Sequence, residues 1–266
     1  MHQGLSDASP RTGDVFPRTS EPGTRDAVPR YTIGLIGAFS LHHDAQIIRP
    51  ARSAQRLLAY LALREPPLLR SHVAGTLWPD AMDDRAMGNL RSTLWRVRKL
   101  PGTLVVANGE ELALAPDVAV DVRVLGSLAL HLIDRPDEPA VSFADDRQTD
   151  VEALAVASDL LADWSDDWLL VERERFRQLR LHALERLCGL LATAGRFGRA
   201  VEMCLAAVSG EPLRESAHRQ LIEVHLAEGN RVEALRQYEA YRQLMRDELG
   251  LGPSPHIVNL VTAIIE

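Results

Sequence analysis

Residues 83–100, DDRAMGNLRSTLWRVRKL, carry Arg85, Arg91, Arg96, Arg98 and Lys99, and no Asp or Glu occurs between Arg85 and Gly109. Cations left unneutralised at this density suit a polyanion, and Arg can grip a phosphate or a guanine edge through two parallel N–H donors. At about 100° per residue, Leu90, Leu94 and Val97 fall within about 60° of one another, with Ala86 and Thr93 beside them, so one side of a helix is buried. Arg85, Ser92, Arg96 and Lys99 point the other way, with Asn89 at the flank. The DNA major groove admits a helix of this size. Charged helix faces are commonly just solvated, so the meaning of this one depends on what surrounds it. Trp95, about 140° from the apolar seam, has two readings: over a sugar–phosphate backbone, or folded back as core, the second being favoured. Gly88, on the outward face, allows close backbone approach at a cost of about 1 kcal/mol in helix stability relative to Ala.

Other candidate chemistry is sparse. Trp164, Ser165, Asp166, Asp167 and Trp168 set two carboxylates between aromatics, but a metal or acid–base site needs a second cluster and none stands out. The segment reads as a polar turn whose tryptophans pack into the helical C-terminal part. Gly-x-Ser-x-Gly, His-Glu-x-x-His and GxxxxGK[ST] are missing, and the nine His are scattered. Cys188 and Cys204 sit in helical apolar patterns without CxxC spacing, which predicts buried free thiols rather than a disulfide or zinc site. The expectation is a non-enzyme with no catalytic residue, no cofactor and no metal.

The net charge of −7 conceals an uneven distribution. Residues 1–30 are neutral, 31–123 carry +2 and 124–266 carry −9, as befits a nucleic-acid reader joined to a part that must not bind nucleic acid. No run of 18 apolar residues and no signal pattern occurs, which predicts a cytoplasmic, nucleoid-associated protein and no membrane partner. Residues 1–30, polar and aperiodic, read as a disordered tail.

The elements that must hold the basic helix follow from residue 31. YTIGLIGAFSL and AQIIRP, parted by His42, His43 and Asp44, read as two antiparallel strands joined by a polar turn. Ser53 is the expected cap of a helix with Leu57, Leu58, Leu61 and Ala62 inward, ended by Pro66 and Pro67. Arg52 and Arg56 in its first turn could reach phosphates. A second helix starts at Ser71 and closes at Trp78 and Pro79; Asp80 or Asp83 then caps the basic helix, which Pro101 and Gly102 stop. Two β runs flank Asn108 and Gly109 as a hairpin. Strands, three helices and a hairpin is the order of a winged helix-turn-helix, in which the third helix reads DNA and the hairpin is the wing.

The C-terminal part reads as helical from Val151: one helix over 151–164, a long one from Val171, and three more to about Leu249. A 34-residue repeat matches Gly195 to Gly229 and Ala200 to Ala234, a degenerate tetratricopeptide-like solenoid. The fold class expected is mainly α: a winged-helix (α+β) domain at 31–123 and an all-α solenoid at 124–266.

The wording is also specific. Pro50 before a basic helix start, AQRLLAYLAL, TLWPD, the Asn-Leu-Arg-Ser-x-Leu-Trp-Arg-x-Arg-Lys run at 89–99 and LAPDVAVDV resemble the OmpR-type winged helix of the actinobacterial antibiotic regulatory protein (SARP) family. LLADWSDDWLLVERERFRQLRLHALERL and GEPLRESAHRQLIEVHLAEGNRVEALRQYEAYRQLMRDELGLGPSP resemble the bacterial transcriptional activator domain (BTAD) that follows it there. The resemblance implies a transcriptional regulator that binds promoter direct repeats in double-stranded DNA as a homodimer and recruits RNA polymerase holoenzyme. Base reading then falls to Arg85, Asn89, Ser92 and Arg96, and backbone contact to Arg52, Arg56, Arg91, Trp95, Arg98 and Lys99. The wing turn carries Glu110 and Glu111, which leaves most of the reading to the helix. The alternative is a protein-interaction scaffold whose solenoid binds a partner and whose winged helix no longer binds DNA.

Overall fold

The computed structural model describes residues 30–44, 46–64, 67–134, 142 and 145–265. The expected tail up to residue 29 and the stop at Pro66 lie outside them. Strands β1 (Tyr31–Gly34), β2 (Ser40–His43) and β3 (Gln46–Ile47) form an antiparallel ribbon in which Tyr31 faces His43 and Gly34 faces Ser40. His42 and His43 are therefore strand, not turn, and the chain reverses at Asp44, whose φ is +48°. Two strands were expected and three are present, because the first run turns back between Gly34 and Ser40, with Gly37 at a φ of +79°, and pairs with itself.

Helix α1 (Arg52–Leu63) buries Leu57, Leu58, Leu61 and Ala62 as its period dictates. Its N-cap is Ala51 rather than Ser53, and the Gln55 side chain donates to the Pro50 carbonyl at 2.9 Å. Strand β4 (Leu68–Leu69) runs directly into α2 (Arg70–Leu77), so Ser71 is inside that helix and not its cap. Helix α3 (Asp83–Val97) is capped at Met82 without a side-chain bond, which corrects both Asp80 and Asp83. Asp83 and Asp84 instead occupy the first turn, where negative charge complements the helix dipole. Strands β5 (Val105–Asn108) and β6 (Glu111–Leu114) form the wing, with β4 paired to β6 on its other edge. Strand β7 (Val118–Val120) then returns to lie parallel to β1.

Buried residues from these elements share one core, among them Ile33 and Leu41 of the ribbon, Leu57 and Leu61, Leu77, Leu90 and Leu94, and Leu112 of the wing. Helix α4 (Asp121–Asp134) begins before residue 124 and packs along α6 (Trp168–Thr193), which follows the short α5 (Gln148–Val156). The repeat appears as two helix pairs, α6 with α7 (Phe197–Gly210) and α8 (Glu215–Glu228) with α9 (Arg231–Leu249). Gly195 and Gly229 turn within each pair at φ of +72° and +89°, a conformation that side-chain-bearing residues resist. Ala200 and Ala234 are fully buried, where their small size lets helices approach. A last helix, α10 (Pro255–Ile265), was not foreseen; Ile257 and Val261 seat it on α8 and α9.

Two expectations fail in this half. The helix over 151–164 stops at Val156, because the Arg180 guanidinium takes the carbonyls of Leu154 and Ala155 at 2.7 and 2.6 Å. Cys188 and Cys204 are buried as expected but joined in a disulfide, not free. The α6–α7 pairing sets their Cα atoms 5.8 Å apart, within reach of a bridge that spacing along the chain does not announce.

After Val156 the chain crosses to the winged helix. Leu160 bridges to Ile36, and backbone bonds join Gly37 to Asp159 and Leu161 to Leu35. Arg173 holds this crossing segment by donating to the carbonyls of Leu160, Leu161 and Trp164. On the opposite side, Asp121 accepts from the backbone N–H groups of Leu35, Ile36 and Val122. Burial pushes its carboxyl above the ordinary value, against the pull of those donors. Arg123 caps the end of α1 through the carbonyls of Leu61, Ala62 and Arg64.

Candidate nucleic-acid interface

Helix α3 is amphipathic in the sense its sequence dictates: Ala86, Leu90, Thr93, Leu94 and Val97 are buried. Arg85, Arg91, Ser92, Trp95, Arg96, Arg98 and Lys99 are exposed, and Asn89 is half-buried. The helix ends at Val97, so Arg98 and Lys99 extend the cationic face into the turn that follows. Among the described residues, none of the five cations between Arg85 and Lys99 pairs with a carboxylate. The Arg96 guanidinium reaches Ser53 Oγ at 3.2 Å and so spans the gap between α3 and the start of α1.

Trp95 is 60 % exposed, which overturns the preference for core. Its ring instead carries the Lys99 ammonium 3.6 Å from the centroid, one helical turn on. That stack fixes an otherwise flexible cation over an aromatic plate.

The start of α1 departs further from expectation. The Arg52 guanidinium carbon lies 3.8 Å from the centroid of the Trp164 ring, a cation–π contact. Arg56 is engaged by a carboxylate: Nε donates to Asp166 Oδ1 at 2.7 Å, and Nη2 lies 2.5 Å from the same oxygen as an ion pair. Arg56 is thus not a free backbone-contacting cation in this structure. Trp164 and Trp168 pack against the winged-helix core, where Phe39 stacks on Trp164 and Tyr60 meets Trp168 edge-on, and not into the solenoid as expected. Asp166 and Asp167 line a cavity of about 790 Å³ together with Arg56, Arg85 and Asn89.

The wing has its own anchor, which sequence reasoning missed. Arg70 donates from Nε to the Gly109 carbonyl at 2.9 Å, and its backbone N–H bonds to the Glu110 carbonyl. A cation at the first residue of α2 therefore stands beside the acidic turn of the hairpin. Among the described residues no group of three His, Cys, Asp or Glu could hold a metal ion. No described helix is long and apolar enough to cross a membrane.

A family model described as the bacterial transcriptional activator domain matches residues 150–265. The chain is 28 % identical over 279 residues to the regulatory protein AfsR of Streptomyces coelicolor, covering 98 % of this chain and 26 % of that protein. To AfsR of Streptomyces griseus it is 28 % identical over 275 residues, covering 97 % of this chain and 27 % of that one. It therefore spans about a quarter of the length of these curated relatives. Mycobacterium tuberculosis EmbR, solved in complex with a low-affinity phosphopeptide, superposes with a TM-score of 0.68 at 20 % identity, over 89 % of this chain and 65 % of that one. The likeness to EmbR is one of fold.

Proposed function

We propose that this chain is a regulator of the actinobacterial antibiotic regulatory protein type, binding specific DNA sequences through α3 and regulating transcription from the promoters it occupies; the match of residues 150–265 to the bacterial transcriptional activator domain and the likeness to AfsR support this reading. The observation that carries this reading is the exposed face of Arg85, Ser92, Arg96 and Lys99, with its five local cations unpaired among the described residues. Arg85, Asn89, Ser92 and Arg96 supply the base contacts; Arg52, Arg91, Arg98 and the Trp95–Lys99 stack hold the sugar–phosphate chain. Two protomers sit side by side on direct repeats, and the solenoid, acidic overall, recruits RNA polymerase holoenzyme. Such a protein works in the cytoplasm at the nucleoid.

The test is binding of Arg96→Ala and Lys99→Ala variants to a duplex selected by the parent protein, at one salt concentration. Loss of a base-reading bidentate contact costs about 1–3 kcal/mol. If both variants bind as tightly as the parent, α3 is not the reading element.

A further inference from the structure

We propose that Asp166, in the turn of the activator domain, occupies the place of a DNA phosphate on Arg56, so that the two halves of the chain compete for one guanidinium. The proposal rests on the DNA-binding reading and adds to it a negative regulator of affinity built into the chain. Three observations carry it. First, the Arg56 guanidinium is engaged by a carboxylate, Nε donating to Asp166 Oδ1 at 2.7 Å and Nη2 lying 2.5 Å from the same oxygen, a charge-assisted contact of the kind a phosphate oxygen also makes. Second, that oxygen is fixed: Trp168 Nε1 donates to it at 3.2 Å, and the Asp166 side chain is only 10 % exposed. Third, Arg56 lines the same cavity as Arg85 and Asn89, so it stands next to the residues assigned to base reading. Neighbouring Arg52 provides the contrast, since its contact is with the Trp164 ring and not with a carboxylate.

The mechanism is exchange of one anion for another. With Asp166 in place, Arg56 contributes no counterion release on binding DNA; with the carboxylate removed by substitution, Arg56 becomes a phosphate ligand. Movement of the 164–168 turn away from α1 would have the same effect, and this turn is joined directly to α6 of the activator domain. A partner that pulls on the activator domain therefore has a route to DNA affinity that runs through one ion pair.

The experiment measures affinity of the full chain for a fixed duplex across a salt series, for the parent, Asp166→Asn, Arg56→Gln, the double variant and Asp167→Asn. Asparagine keeps an oxygen for Trp168 and removes only the charge; urea unfolding confirms that each variant is folded. The expected result for Asp166→Asn is several-fold tighter binding, with the slope of log K against log salt steeper by about 0.9, the share of one phosphate contact. Arg56→Gln alone leaves affinity within about twofold of the parent and abolishes the gain in the double variant. Asp167→Asn, at an exposed neighbour without a contact to Arg56, reproduces neither change. Weaker binding by Asp166→Asn, or a gain that survives Arg56→Gln, overturns the proposal while leaving DNA binding intact. A parent protein with no salt-dependent affinity for any duplex overturns the DNA-binding reading and this inference with it.

Discussion

Trp164 belongs to the C-terminal half by sequence and to the winged-helix core by packing, which makes it the residue on which docking of the two halves can be tested. It is 3 % exposed, stacks on Phe39 with ring centroids 6.0 Å apart and carries Arg52 on its other side at 3.8 Å. Burying about 200 Å² of indole at about 25 cal/mol per Å² corresponds to about 5 kcal/mol as an upper estimate. Large-to-small substitution of a buried Trp costs about 3–5 kcal/mol. Trp164→Ala should therefore remove about 4 kcal/mol, taken from docking rather than from either core alone. Urea unfolding followed by far-ultraviolet circular dichroism should show an earlier midpoint, by about 1 M or more, and a transition that separates into two. A single transition with a midpoint shift below about 0.3 M would refute the claim that Trp164 joins the halves.

Other outcomes follow from the same packing. His218 is buried against Tyr241, with ring centroids 4.3 Å apart, and burial holds its pKa below the ordinary histidine value. The unfolded chain then takes up the proton first, near pH of about 6.5, so stability is full above that pH and falls as pH drops toward the folded pKa. The urea midpoint should fall between about pH 7.5 and 5.5, and by less in a folded His218→Gln variant. The Cys188–Cys204 bridge closes a loop of 16 residues between α6 and α7, so its removal should cost about 3 kcal/mol. Thermal melts of the parent with and without dithiothreitol, beside a double Cys→Ala variant, measure this. An unchanged melting temperature in both would mean that the bridge does not constrain the unfolded chain.

The cationic helix was legible because its signal is local. The period of Leu90, Leu94 and Val97 fixes which side is buried, and the opposite side follows from geometry. The winged order and the repeated Gly and Ala positions were legible for the same reason, since turn chemistry and close helix contact each demand particular residues at particular places. What escaped depends on partners far apart. Arg56 and Asp166 are 110 residues apart, and nothing near either announces the other except opposite charge. The disulfide needs two helices brought face to face, and CxxC-type spacing is blind to that. The angle of Trp95, about 140° from the seam, points outward as the structure has it; what the core reading lacked is its partner Lys99, which lies beyond the end of the helix. Cap positions failed where polar residues stood one or two places from the true start. At α1 the Gln55 side chain bonds the Pro50 carbonyl at 2.9 Å, while Ser53 is left to accept from Arg96.

The central claim, that α3 reads bases while its flanking cations hold the backbone, is tested most directly by selecting duplexes from a random library with the parent, Arg96→Ala and Arg91→Ala. Arg96→Ala should relax preference at one base position within the selected site, whereas Arg91→Ala should weaken binding evenly across sequences. Identical sequence preferences in all three proteins, or a relaxed position caused by Arg91→Ala alone, would contradict it.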